Sequence, residues 1–379
     1  METGGQRGDG RAAVLVLLGV SALASLPIFL NLSKQYTDFG AHLEFVASLV
    51  RTGSTDLPHF AFEFAVAFLY ALGLSLGQGA VLVSMLAMLA SAGMIFFIIR
   101  EGVAPWTAAG LSLALLFIGP LSIMTLAEKE LYLGYMTPNV YHNPTQVMLR
   151  PMALALLVIG ARVFDSHVSK ARWGLVAGAA ILSVLACLTK PSFQIAFLPG
   201  LGLLCGLALI GRRELDLHLS VLGVAVPSLA VLGWQYSVGF GQVQTSEIFF
   251  APLQVIQFLA DRLLLKLALS LAFPVLVTAF FFREAFRDKR LVVAWSTACF
   301  GLFYAYFLAE TGSRFSHGNF LWSGYMGISV LYVACLPTLI RQPKSFPQIF
   351  CWGIFALQVL SGLIFAFSQS LGERYLYYW

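Results

Sequence analysis

The sequence predicts an all-α, polytopic membrane protein whose single integral membrane domain covers residues 1–379. Hydrophobic residues make up 59% of the chain and charged residues 11%, whereas a soluble domain carries about 25% charged residues. The charges lie between apolar runs of roughly 18–22 residues, the length that a helix needs to cross the hydrocarbon core of a bilayer. Lipid offers the backbone no hydrogen bonds, so such runs must be helices.

Apolar runs follow one another along the whole chain. They cover residues 12–32, 59–77, 80–99, 104–124, 149–164, 172–188, 191–211, 217–236, 263–282, 291–309, 319–338 and 347–367. The run at 59–77 differs from the others because it begins at His59 and contains Glu63. A carboxylate in a lipid-facing helix is unfavourable. The run therefore predicts a re-entrant or interfacial helix, which leaves about 11 spans.

The charge distribution favours an N-terminus in the cytoplasm. With eleven spans, most of the 23 Lys and Arg residues fall in cytoplasmic loops, as the positive-inside rule requires. Twelve spans with the N-terminus outside satisfy that rule equally well. The net charge of +5 follows from the same bias, and no basic and aromatic groove indicates nucleic acid. We expect a multi-pass protein of a bacterial inner membrane.

The first outer loop offers a candidate catalytic pair. Asp38 and His42 are four residues apart, which places both on one face of a helix. A carboxylate just above the membrane can act as a general base on a hydroxyl, and partial burial would raise its pKa toward a useful range. A solvated helix cap is the structural alternative.

His59 and Glu63 form a second pair with the same spacing, which could orient a substrate. Two ligands alone are a weak metal signal.

Two further segments carry polar residues that suit a sugar or a phosphate. The second outer loop contains His142 and Asn143, followed by Arg150 in the next apolar run. Lys190 stands alone between two long apolar runs, next to the helix-breaking Pro191. A lone ammonium at an apolar boundary is a natural partner for a lipid phosphate. For Arg150 and Lys190 the structural alternative is a side chain that snorkels to the interface.

The last outer loop adds Arg314 and His317, three residues apart, which could hold a phosphate between them. No phosphate-binding loop, serine-hydrolase elbow or zinc-protease motif is present, so nothing indicates nucleotide hydrolysis or a serine hydrolase. The five cysteines lie inside apolar runs and are not spaced for metal binding. No cofactor is predicted; a divalent metal is conceivable but has no support.

Asp38 in the first outer loop, the non-spanning run at 59–77 and the turn Thr189-Lys190-Pro191 together resemble the GT-C superfamily of glycosyltransferases. The Lys-Pro turn is similar to one in bacterial mannosyltransferase-like members. The likeness covers roughly residues 12–211, and residues 212–379 add further helices. Many members carry paired acids in the first loop, whereas this chain has Asp38 with His42.

The resemblance implies sugar transfer from a polyprenyl-phosphate donor to a hydroxyl of a glycan, lipid or protein acceptor, on the non-cytoplasmic face. Asp38 would be the base and His42 its neighbour. Residues for substrate and phosphate binding would be His59, His142, Asn143, Arg150, Lys190, Arg314 and His317. Three alternatives use the same outer residues. They are a flippase or transporter for lipid-linked oligosaccharides, an O-antigen polymerase or ligase, and a membrane acyltransferase with His142 as its base.

Overall fold

The chain forms an all-α bundle, as predicted. The computed structural model describes residues 4–55, 57–123, 133–165, 173–240 and 247–372. The helices are α1 (Gly4–Leu32), α2 (Asp38–Thr52), α3 (Ala61–Ala71), α4 (Leu76–Ile99), α5 (Pro105–Phe117), α6 (Pro144–Arg162), α7 (Trp173–Thr189), α8 (Ser192–Ile210), a π-helical turn (His218–Ala225) that continues into α9 (Val226–Phe240), α10 (Gln254–Leu259), α11 (Leu263–Phe280), α12 (Phe282–Arg287), α13 (Lys289–Phe307), a 3-10 helix (Gly312–His317), α14 (Leu321–Ile340) and α15 (Phe346–Ser370).

Nine helices in the described part of the chain are long and apolar enough to cross a membrane. Three apolar helices are shorter: α3, α5 and α7. At about 1.5 Å per residue, the 11 residues of α3 extend for only half of a hydrocarbon core about 30 Å thick. The apolar run at 59–77 therefore does not cross the membrane as a helix, in agreement with the prediction. Helix α14 lies at the centre of the bundle, where nearly all its residues are buried.

The ends of α1 and α15 show how the helices alternate in direction. The side-chain amide of Asn31, at the C-terminal end of α1, donates to the carbonyl of Ser370 at 2.7 Å. The C-terminal ends of α1 and α15 therefore lie together. This arrangement corresponds to eleven crossings of the membrane. In it α3 does not cross, whereas the shorter helices α5 and α7 do. Twelve passes would separate these two ends by the thickness of the membrane.

Helix α5 ends early, and its continuation is extended chain inside the bundle. Backbone without helical hydrogen bonds is tolerated there only when protein groups satisfy it. Gly119 N donates to the Gln358 carbonyl at 3.1 Å, and the Arg150 guanidinium donates to the carbonyls of Leu115 and Leu116 at 3.1 and 3.3 Å. The extended chain crosses α15 at Gly362, where an added Cβ would lie 2.0 Å from the Phe117 carbonyl oxygen. Only glycine fits this crossing.

The two ends of the bundle differ in character. At the end opposite Asn31, ion pairs join Lys289 to Asp165 at 2.7 Å and Arg290 to Glu101 at 3.2 Å. At the Asn31 end, strand β1 (Ile248–Phe250) pairs antiparallel with β2 (Leu308–Glu310). The 3-10 helix that carries Arg314 and His317 directly follows β2.

Candidate functional site

Asp38 begins α2 at the Asn31 end of the bundle. The hydroxyl of Thr37 accepts from the backbone N–H of Phe39 at 3.3 Å and so caps the helix. A carboxylate in the first turn is stabilised by the helix dipole. The Asp38 side chain is 45% exposed. Its Oδ2 accepts a hydrogen bond from Asn143 Nδ2 at 2.8 Å and lies 4.0 Å from His142 Nε2.

Asn143 connects Asp38 to the rest of a buried polar cluster. It caps α6, since its Oδ1 accepts from Gln146 N at 3.0 Å. The same oxygen accepts from the Thr145 hydroxyl at 2.7 Å and from the Lys190 ammonium at 3.3 Å. Its amide nitrogen is thereby directed toward Asp38. One side chain thus fixes the relative positions of α2, α6 and the turn before α8.

Lys190 is the buried cation of this cluster. The residue is 8% exposed, and its ammonium donates to Asn143 Oδ1 and to Thr145 Oγ1, each at 3.3 Å. It also lies 4.6 Å from the centre of the Trp322 ring, within the range of a cation–π contact. Burial lowers the pKa of Lys190 to about 8, although the charges of Asp38 and Glu63 oppose the shift. The ammonium is therefore mostly protonated at neutral pH.

His42 pairs with Glu63 rather than with Asp38. His42 Nδ1 and Glu63 Oε1 lie 2.5 Å apart, and the glutamate side chain is fully buried. The second carboxylate oxygen of Glu63 accepts no hydrogen bond from the described residues. The His59 ring packs edge-on against the His42 ring with centroids 6.5 Å apart. The second acid in this region therefore comes from α3, whereas the sequence pattern had paired Glu63 with His59.

The electrostatics of the cluster favour an ionised Asp38 beside neutral imidazoles. Burial opposes ionisation of Asp38, but His142, the hydrogen bond from Asn143 and Lys190 outweigh it and hold its pKa below the usual value. The sequence-based expectation that the pKa of Asp38 is raised is thus wrong. Burial lowers the pKa of His142 to about 4, against the effect of Asp38, and lowers that of His59 to about 3.

Three predicted residues lie outside this cluster. Arg150 is buried and bonded to backbone carbonyls and to the Asn139 side chain. That position favours a structural role over contact with a phosphate. Arg314 Nη1 lies 3.6 Å from Glu310 Oε1, and His317 is exposed in the same segment. Both remain candidates for phosphate binding.

The sequence reasoning missed three members of the cluster. Trp322 packs against Lys190 and against the His142 ring, with ring centroids 5.6 Å apart in the second contact. A tryptophan in an apolar run gives no signal of such a role. Thr145 and Gln146 lie two and three residues after Asn143 and could have been recognised as part of a helix cap.

Within the described residues, no three His, Cys, Asp or Glu side chains are grouped so that they could hold a metal. No protein-family model and no curated protein matches the chain. The cluster presents an ionised carboxylate that is 45% exposed, accepts a hydrogen bond from a neutral amide and is backed by a buried cation. Such a group can accept a proton from a hydroxyl or orient it.

Proposed function

We propose that the chain is a membrane glycosyltransferase that moves a sugar from a polyprenyl-phosphate donor to an acceptor hydroxyl, with Asp38 as the general base. The proposal rests on the Asp38 carboxylate, whose side chain is 45% exposed while its Oδ2 is held by Asn143. The resemblance to the GT-C superfamily adds the donor class. The surrounding bundle of apolar helices supports a lipid-borne substrate.

The proposed reaction is a single displacement at the anomeric carbon. The acceptor hydroxyl gives its proton to Asp38 while its oxygen bonds to the anomeric carbon. The bond between that carbon and the phosphate oxygen breaks, and its electron pair leaves with the polyprenyl phosphate. A positioned base contributes about 10²–10⁴-fold to such a step. Asn143 and His142 orient the carboxylate for this transfer.

The phosphate of the donor needs cations that it can reach. Lys190 is buried and already donates to Asn143 and Thr145, so we assign it to positioning, through Asn143, and to stabilising the ionised Asp38. Arg314 and His317 precede α14, whose first turn contributes Trp322 to the cluster. We assign these two side chains to the phosphate.

The active end is proposed to face away from the cytoplasm. The ion-paired cluster around Lys289 and Arg290 lies at the other end of the bundle, and basic residues are enriched on the cytoplasmic side of membrane proteins. This orientation in a bacterial inner membrane would give Asp38 access to substrates of the cell envelope.

Turnover by the purified protein tests the proposal. The protein is reconstituted in vesicles with a panel of polyprenyl-phosphate sugars, and release of polyprenyl phosphate is followed. Asp38→Asn keeps the shape of the side chain and removes the base, so we expect release to fall by about 100-fold or more. Glu44→Gln removes an exposed acid from the same helix and should leave the rate unchanged.

Two outcomes would contradict the proposal. Full turnover by Asp38→Asn would exclude the base. Tight binding of lipid-linked glycans, with no release from any donor, would instead indicate a flippase or transporter.

A further inference from the structure

A second feature lies at the opposite end of the bundle, where α8 ends and α13 begins. A cavity of about 680 Å³ opens there between these helices, a size within the range of ligand pockets. Its apolar wall includes Leu204, Leu207 and Val292. Leu207 is 57% exposed, so this wall is continuous with the surface that faces lipid. An apolar molecule can therefore enter the cavity sideways.

The rim of the cavity is basic. Arg213, Arg287 and Lys289 line it together with a single acid, Glu214. Lys289 already pairs with Asp165 at 2.7 Å. Within the described part of the chain, neither Arg213 nor Arg287 has an acidic partner within ion-pair distance. Two uncompensated arginines thus border an apolar cavity.

The acids of the adjacent cavity are engaged by other cations. Arg287 lines that cavity too, and there Asp288 pairs with both Arg290 and Arg341. Glu101 binds Arg290 as well. Acids are therefore available at this end of the bundle, but among the residues that the structure describes none lies within ion-pair distance of Arg213 or Arg287.

The backbone directs Arg213 toward the cavity. The chain leaves α8 through Arg212, which has a left-handed φ of 54°. Arg213 N then donates back to the Ala208 carbonyl at 2.8 Å, which closes the last turn of the helix as in a Schellman motif. The Arg213 side chain passes over Gly211, where an added Cβ would lie 3.9 Å from Arg213 Cγ. The Arg213 side chain therefore starts back over the helix end that borders the cavity.

We infer that this cavity binds an anionic phospholipid of the bilayer, with the headgroup phosphate between Arg213 and Arg287 and an acyl chain along Leu204, Leu207 and Val292. Guanidinium groups bind phosphate through paired hydrogen bonds. Basic pockets between helices on the cytoplasmic side are a known class of lipid-headgroup site. The apolar wall selects a lipid over a free phosphate. This site is independent of the proposed sugar transfer.

The test is lipid binding to the full-length purified protein, followed by native mass spectrometry. Phosphatidylglycerol is the anionic probe, phosphatidylcholine the neutral probe and glycerol phosphate the soluble headgroup. Each arginine near an anionic lipid is worth roughly fivefold in affinity. We expect Arg213→Gln with Arg287→Gln to weaken phosphatidylglycerol binding about 30-fold and to leave phosphatidylcholine binding unchanged.

Two further variants keep the test decisive. Arg283→Gln with Lys344→Gln removes the same charge from exposed residues that do not line the cavity, and binding should persist. Leu207→Trp keeps both arginines and fills the apolar wall, so it should weaken binding even if the double arginine variant fails to fold.

Three results would overturn the inference. In the first, the wild-type protein binds both lipids equally. In the second, the control double variant loses as much affinity as the arginine variant. In the third, glycerol phosphate displaces the lipid at a similar concentration, which would indicate an ion site.

Discussion

Replacing Asn143 with aspartate isolates the electrostatic contact that holds Asp38. Aspartate has the shape of asparagine and caps helices equally well. Its oxygen can still accept from Gln146 N, Thr145 and Lys190, as Asn143 Oδ1 does. Only the group that faces Asp38 changes, from an amide donor to a carboxylate oxygen 2.8 Å away. Asn143→Asp therefore converts a hydrogen bond into a repulsion and leaves the other contacts in place.

The size of the effect follows from two contributions. The lost hydrogen bond to a charged group is worth about 1.5–3 kcal/mol. Two charges about 4 Å apart near a protein surface repel by about 4 kcal/mol. Because Asp38 is 45% exposed and Lys190 offsets part of the charge, we reduce the sum to about 1–3 kcal/mol. By linkage this raises the pKa of the carboxyl pair.

Thermal unfolding in detergent between pH 4 and pH 8 measures the effect without any assumption about activity. A raised carboxyl pKa means that the folded pair holds a proton at low pH and loses it as the pH rises. The free energy of unfolding of Asn143→Asp should therefore lie only slightly below that of the wild type near pH 4. The difference should grow to its full size by about pH 6–7. Asn143→Ala removes the cap and the donor without adding charge. Its loss of about 1 kcal/mol in free energy of unfolding should therefore not change with pH across pH 5–8. Equal and pH-independent deficits for the two variants would refute the coupling between Asn143 and Asp38.

Three further predictions use the same unfolding assay. Gly362→Ala forces a Cβ to 2.0 Å from a carbonyl oxygen and should destabilise the protein by about 3 kcal/mol or more, whereas Gly353→Ala, with nothing within 4 Å, should be neutral or stabilising. Arg150→Met should cost about 2–5 kcal/mol because it leaves buried acceptors unsatisfied, whereas Arg162→Met at the exposed end of the same helix should have little effect. His142 has a pKa of about 4 when folded and about 6.5 when unfolded, so the folded state binds fewer protons and stability should fall below about pH 6.5. His142→Gln should remove about 1 kcal/mol of that loss at pH 5.5, and an unchanged pH profile would contradict the burial of a neutral imidazole.

Hydrophobic runs were enough to predict the helices and their alternation, because apolar length and charge position constrain a membrane protein strongly. The non-spanning α3 could also be predicted, since Glu63 is unfavourable in lipid. Asp38, Asn143 and Lys190 could be expected on one side, because each lies at a helix end that the alternation places there. Their contact inside one cluster is a result of the packing of α2 against α6 and of α6 against α8 and has no sequence signature.

Side-chain pairing was less predictable. Helical spacing paired Glu63 with His59, but the carboxylate binds His42 on another helix. Spacing within one helix reports only which residues share a face. Arg150 stands near the start of an apolar run, where the sequence predicts contact with a phosphate or, as the alternative, a side chain that snorkels to the interface. Two of the acceptors that hold it inside, the carbonyls of Leu115 and Leu116, are free because α5 ends early, and the apolar sequence at 104–124 does not reveal that break.

The low pKa of Asp38 bears directly on its proposed role, since a carboxylate that ionises easily is a weak base. Burial is the largest single influence on this group and raises its pKa; His142, Asn143 and Lys190 together outweigh it. The side chain is still 45% exposed, so water supports much of its charge in the free protein. A lipid-borne donor and its acceptor would displace that water while the three opposing groups stay in place. Desolvation disfavours the charged form, so the bound carboxylate takes up a proton more readily than the free one. The base strength that sugar transfer needs would then develop only in the complex, where the acceptor hydroxyl is present to use it.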